Sequence, residues 1–153
     1  MNCIVDDFNS HNFNEQFDCV WCSHVLEHQL NVQIFLEKIN RVLKEGGILA
    51  ITVPPLINDV VGGHVSLWNA GTLLYRLVLA GFDCREAHIK TYSSDISIIV
   101  KKKSIRVLDK IVYDNGDLIT LHRYFPPKLK YKPYTMGVQK DIPFEGNIHE
   151  CNW

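Results

Sequence analysis

The sequence predicts an α/β fold, a partial doubly wound sheet with helices laid across it. Three observations carry this prediction. Residues 17–22 and 48–53 are short apolar runs without steady polar alternation, as in parallel strands covered on both faces. Between them Val32, Phe35, Leu36, Ile39, Val42 and Leu43 recur at 3, 4 and 7 spacing and make one apolar helical face. The polar side chains Ser23, His24, Glu27 and His28 follow the first run directly, at the strand end where open parallel sheets bind ligands.

Each element has its own signals. Asn2-Cys3-Ile4-Val5, ending in Asp6-Asp7-Phe8, reads as a short strand followed by a polar turn. Asn31 is the expected N-cap of the central helix, with Leu30 and Phe35 placed as a hydrophobic staple. Arg41 and Lys44 suit the negative end of its dipole, and Gly46-Gly47 supplies a left-handed stop. Pro54-Pro55 ends the second strand, because proline cannot donate to a ladder. A loop follows in which Gly62-Gly63 lets the backbone turn tightly before His64.

Asn69 then caps a helix through Leu73, Leu74, Leu77 and Val78, stopped at Gly81. Residues 84–90 and 96–101 read as two strands joined by a turn at Ser93-Ser94-Asp95, with Lys101, Lys102 and Lys103 marking the exit into solvent. Ile105, Leu108, Ile111 and Val112 suit a short helix. Asn115-Gly116-Asp117 is a turn, from which Asp117 caps a further short helix through Leu118, Leu121 and Tyr124. Prolines at 126, 127, 133 and 143 predict an extended tail.

The bulk numbers exclude some classes. At 153 residues the chain is one domain's worth, with an ordinary 46% hydrophobic and 22% charged composition. A net charge of −1 provides no basic excess for nucleic acid, so none is expected as a partner. No apolar run approaches the roughly 20 residues that cross a bilayer, and no membrane partner or secretory leader is expected. Cys19 and Cys22 form a C-x-x-C inside a strand, where residues three apart face opposite ways, and are expected to be core thiols in a reducing cytoplasm. His24, Glu27 and His28 imitate the H-x-x-E-H pattern, which needs both histidines on one helix face. Here His24 ends a strand, and no metal site is expected.

The stretch FDCVWCSHVLEH, the helix ending RVLKEGG and the strand ILAITVPP together resemble the second half of the class I S-adenosylmethionine-dependent methyltransferases, over about residues 1–103. The resemblance implies a partial Rossmann-like sheet, mostly parallel with an antiparallel edge pair, followed by an extension over 104–153. It implies S-adenosyl-L-methionine as cofactor. Asp7 and Phe8 would meet its adenine, and Ser23 and His24 would lie beside its methionine part. Glu27, Gly63, His64 and Trp68 would bind a small-molecule or glycan acceptor, with His28 or His64 as general base.

The family's glycine-rich cofactor turn has no counterpart in these residues, whose glycine pairs fall at 46–47 and 62–63. The first strand of the central unit is therefore expected to be an open edge, where each desolvated, unpaired backbone group costs about 1–3 kcal/mol. Pairing of two copies into a homodimer would cover it. The expected function is a methyltransferase or its C-terminal half. The alternative is a truncated, non-catalytic module that dimerises or docks through that edge.

Overall fold

The computed structural model describes residues 3–106, 111–114, 116–131 and 144–153. Chain order is β1 (Phe17–Ser23), a 3₁₀ turn (Leu26–His28), α1 (Val32–Val42), β2 (Leu43–Val53), α2 (Ala70–Leu79), β3 (His88–Tyr92) and β4 (Asp95–Lys101). There follow α3 (Asp117–Leu121), a second 3₁₀ turn (His122–Tyr124) and the short strands β5 (Lys130–Tyr131), β6 (Phe144–Glu145) and β7 (Glu150–Cys151). Five strands form one sheet in the order β1-β2-β4-β3-β7, and β5 pairs with β6 apart from it. β1 and β2 are parallel, whereas β2–β4, β4–β3 and β3–β7 are antiparallel. The α/β sheet and the antiparallel pair β3–β4 are as expected from the sequence, and β7 adds a further antiparallel strand outside β3.

The helix α1 buries Val32, Phe35, Leu36, Ile39 and Val42, the face its spacing prescribes. α2 is capped as read: the Asn69 side chain accepts from the Thr72 N–H at 2.8 Å. It ends in a Schellman motif, with Gly81 N–H donating to Val78 O and Phe82 N–H to Leu77 O around a Gly81 φ of 92°. Both helices join one core with Leu49, Ile51, Val53, Ile89, Ile96 and Ile98 of the sheet, and Leu121, Phe125, Leu129 and Cys151 from beyond residue 104 pack into it.

Several expectations are corrected. Residues 3–5 form no strand: Ile4 and Val5 are 61% and 96% exposed, and a strand without a ladder partner has nothing to hold it extended. β1 is not covered on both faces. Among the described residues it pairs only with β2, and Trp21 is 77% exposed. An apolar run reports hydrophobicity but not which neighbours exist to cover it. Cys22 is a core thiol, pushed up to about 12 by burial and then by the Glu27 charge, but Cys19 is exposed.

The central helix also ends earlier than Gly46-Gly47. Leu43 is already extended, and the glycine pair lies within β2, where the register against β1 shifts between Phe17 and Cys19. A Cβ on Gly47 would lie 2.9 Å from Lys44 O and 3.0 Å from Asp18 O, so close backbone approach is its reason for being glycine. Asn31 makes no side-chain cap. Nor does Lys102 exit into solvent: it is 7% exposed, and its Nζ donates to Asn40 O at 2.5 Å and Leu43 O at 2.7 Å. The helix terminus is thus capped by a lysine from the far end of β4, which no local pattern announces.

The strand expected from residue 84 begins at His88, with Cys84 and Ala87 buried in the turn before it. Asp117 begins α3, but its carboxylate reaches back to accept from the N–H groups of Val112 and Tyr113, at 3.1 and 2.7 Å. Leu108, Asn115, Pro133 and Pro143 lie outside the described residues.

Candidate functional site

β1 delivers its polar cluster to the carboxyl end of the sheet. His24 leaves the strand with a φ of 52°, a left-handed conformation that costs a non-glycine residue roughly 1–3 kcal/mol and clusters at functional sites. Its N–H donates to Thr52 O at 3.0 Å, which holds the bend. Its ring then lies between two carboxylates, 3.5 Å from Glu27 Oε1 and 3.0 Å from Asp95 Oδ1. Asp95 was legible only as a turn residue. It reaches the site because β4 runs antiparallel to β2, so β4 starts where β2 ends, with Ile96 opposite Val53.

Glu27 is 1% exposed, and its Oε2 has no hydrogen-bond partner among the described residues. Buried carboxylates ordinarily have one. The loop after β2 is fastened to this glutamate's backbone: Val65 and Ser66 donate their N–H groups to Glu27 O at 2.8 and 3.2 Å. Gly63, at a φ of 83°, turns its carbonyl to accept from His28 Nδ1 at 2.8 Å. A carbonyl only accepts, so Nδ1 carries a proton there, and the other ring nitrogen, Nε2, lies 3.7 Å from Glu27 Oε1. His64 completes the group, its ring edge-on to that of His28 with centroids 5.0 Å apart.

The structure therefore brings together Glu27, His28, Gly63 and His64, with His24 on the flank. His64 also borders an apolar cavity of about 580 Å³ whose lining includes Pro54, Ile57, Val61, Leu67 and Trp68. Trp68 is 2% exposed, a core side chain as much as a pocket wall.

Asp7 and Phe8 lie elsewhere, in an exposed turn. The Asp7 carboxylate accepts from the Asn9 N–H at 3.1 Å, and Asp6 pairs with His11 at 2.8 Å. That hydrogen bond from His11, with the one from the Asp7 N–H, holds the Asp6 carboxyl below the usual range. The Phe8 ring packs on Phe13 and Phe35, 5.5 and 5.0 Å between centroids. Lys38, which the sequence did not single out, anchors this turn. It is 8% exposed, donates to Asn9 O at 2.8 Å and His11 O at 2.5 Å, and lies 5.5 Å from the centre of the Phe8 ring. Asn9 in turn donates to Gln29 Oε1 at 2.9 Å, tying the turn to the segment that leaves Glu27-His28.

The Phe8 ring thus fixes the exposed Asp7 turn to α1, and Ser23-His24 close the end of β1. They line no part of the apolar cavity beside His64.

Comparison with known proteins bears on the family and the fold. Residues 1–51 match a family model described as a methyltransferase domain. No curated protein matches the sequence. The fold is similar to that of the Burkholderia thailandensis 1,6-didemethyltoxoflavin-N1-methyltransferase, solved with 1,6-didemethyltoxoflavin and S-adenosylhomocysteine. The TM-score is 0.55 at 14% identity, over 66% of this chain and 50% of that one. Human N-acetylserotonin methyltransferase in complex with S-adenosylmethionine gives 0.52 at 20% identity, over 65% and 33%. The N-methyltransferase NodS from Bradyrhizobium japonicum, in complex with S-adenosylhomocysteine, gives 0.51 at 16% identity, over 65% and 53%. This chain thus spans about a third to a half of the length of these three proteins. It resembles the class I S-adenosylmethionine-dependent methyltransferases and has the fold of part of such a domain.

Proposed function

We propose that the chain supplies the acceptor side of an S-adenosylmethionine-dependent methyltransferase site, acting on a small-molecule or glycan acceptor. The observation that carries this reading is the convergence of Glu27, His28 and His64 at the carboxyl end of β1, beside the apolar cavity. An apolar pocket with a few convergent polar groups is what a small acceptor requires. The Burkholderia neighbour, solved with 1,6-didemethyltoxoflavin and S-adenosylhomocysteine, supports the same class. The implied compartment is the cytoplasm, where the thiols of Cys3 and Cys19, both exposed and free, stay reduced.

When bound, S-adenosylmethionine supplies an electrophilic methyl group. Asp7, the Phe8 N–H, Ser23 and His24 would hold it. Gly63, His64, Trp68 and Glu27 position the acceptor, and the rate of an in-line displacement depends on that positioning. His28 or His64 takes the acceptor's proton. His28 is suited to this, since its Nδ1–H is committed to Gly63 O and Nε2 is the nitrogen left to take a proton.

Calorimetric titration with S-adenosylhomocysteine tests the reading. Micromolar binding, weakened in Asp7→Ala and His24→Ala, is the expected result. Absence of binding at millimolar ligand would reject it.

The open edge of β1 favours a second reading, a module that docks or dimerises there. Its backbone groups on that side are unpaired among the described residues, and Trp21 stands exposed beside them. A second copy, adding its own β1, is the simplest partner.

A further inference from the structure

The geometry points to a binding site for a divalent transition-metal ion, of the zinc type, formed by Glu27, His28 and His64. The inference does not depend on methyl transfer. One ligand atom from each of the three residues lies within 4.8 Å of the other two. Ligands of a tetrahedral ion with bonds of about 2.1 Å stand about 3.4 Å apart, so binding would draw the rings inward by roughly an ångström. Two imidazoles and a carboxylate form a donor set that borderline divalent ions accept, leaving a fourth position for water or an acceptor oxygen.

Two features of the structure call for a cation here. Glu27 is 1% exposed, and its Oε2 has no donor among the described residues, so its charge is desolvated without hydrogen bonds at that atom. His28 Nε2 faces the other oxygen of the same carboxylate, Oε1, at 3.7 Å, too far apart to share a hydrogen bond. A cation between them satisfies both. The surrounding bonds are those that orient metal ligands. Gly63 O fixes the His28 tautomer with Nε2 free, and His24 lies against Glu27 Oε1 at 3.5 Å from the outside. The loop carrying His64 is held by the bonds from Val65 and Ser66 to Glu27 O.

The sequence did not reveal this set. The H-x-x-E-H pattern offers His24 and His28, whereas the structure selects His28 and recruits His64 from a loop that follows β2. With an ion bound, His28 Nε2 is a ligand and not a base, and an acceptor hydroxyl at the open position would lose its proton more easily.

The test uses the full chain, stripped of metal with a chelator and titrated with zinc chloride by calorimetry and with cobalt chloride by visible absorption. The expected result is one ion per chain at micromolar affinity. The cobalt spectrum should have tetrahedral d–d bands without a thiolate charge-transfer band. His28→Ala and His64→Ala should each weaken binding at least about tenfold, since losing even an outer partner of a ligand costs 10–100-fold. Glu27→Gln should do the same. His64 lies on a surface loop, so its variant keeps the fold and carries the test even where Glu27→Gln does not. No binding at millimolar ion would overturn the inference. So would binding that both histidine variants leave unchanged, or a thiolate band tracing the ion to Cys3 and Cys19. Neither cofactor nor acceptor is present, so failure here leaves the methyl-transfer reading to its own test.

Discussion

Lys102→Met would remove the buried ammonium that caps the end of α1 while keeping most of the side chain's volume. In the wild type the ammonium donates to Asn40 O and Leu43 O at 2.5 and 2.7 Å, inside a residue that is 7% exposed. Charge-assisted hydrogen bonds contribute about 1.5–3 kcal/mol each, and the two carbonyls would be left without this donor. Releasing the ammonium from burial offsets part of that loss. The net destabilisation should be about 2–4 kcal/mol, a large fraction of the roughly 5–15 kcal/mol typical of a domain. In a chain of this size that corresponds to a fall in Tm of about 5–15 °C. Urea denaturation followed by circular dichroism would measure it, with Lys101→Met at an exposed neighbouring position as the control, expected within about 0.5 kcal/mol of wild type. Equal stabilities of the two variants would refute the capping argument.

Three further outcomes follow from other parts of the fold. Gly47→Ala should destabilise by about 1–3 kcal/mol in the same denaturation assay, because its Cβ would meet backbone oxygens at 2.9 and 3.0 Å; a neutral result would deny the tight crossing. Burial acts to raise the pKa of Asp83, but hydrogen bonds and charge from Arg85 outweigh it and hold the carboxyl below its usual range. A depressed folded pKa adds stability above the unfolded value, near 3.9, that is lost as pH falls through the folded value. Arg85→Met should therefore flatten the dependence of stability on pH below about 4, and an unchanged slope would contradict the pairing. Trp21→Lys, placing a charge beside the open edge of β1, should abolish self-association seen by sedimentation; association that survives it would place the contact elsewhere.

The sequence specified the elements whose signals are local. The α1 face, the Asn69 cap, the Gly81 stop and the β1 polar cluster were all readable because helical spacing, capping chemistry and strand-end position act within a few residues. What it concealed was carried by side chains from distant parts of the chain. Lys102 caps a helix some 60 residues earlier, and Lys38 gathers the carbonyls of Asn9 and His11 under aromatic rings. Asp95 arrives beside His24 only through the antiparallel return of β4. The site was legible as a list, and its grouping was not. Glu27, His28 and His64 converge because the loop after β2 bonds to the Glu27 carbonyl, a contact that no spacing rule contains. The exposure of Cys19 and Trp21 was hidden for a related reason, since hydrophobicity fixes a preference for cover and a neighbour has to supply it.

We propose that the end of β1 and the turn at Asp7-Phe8 form one wall of a cofactor site. Amide chemical shifts of the isotopically labelled chain, followed as S-adenosylhomocysteine is added, test it most directly. Saturable shifts are expected at Asp7, Phe8, Ser23 and His24, with little change near Asp83 and Lys102. Shifts confined to that second region, or none at millimolar ligand, would contradict it.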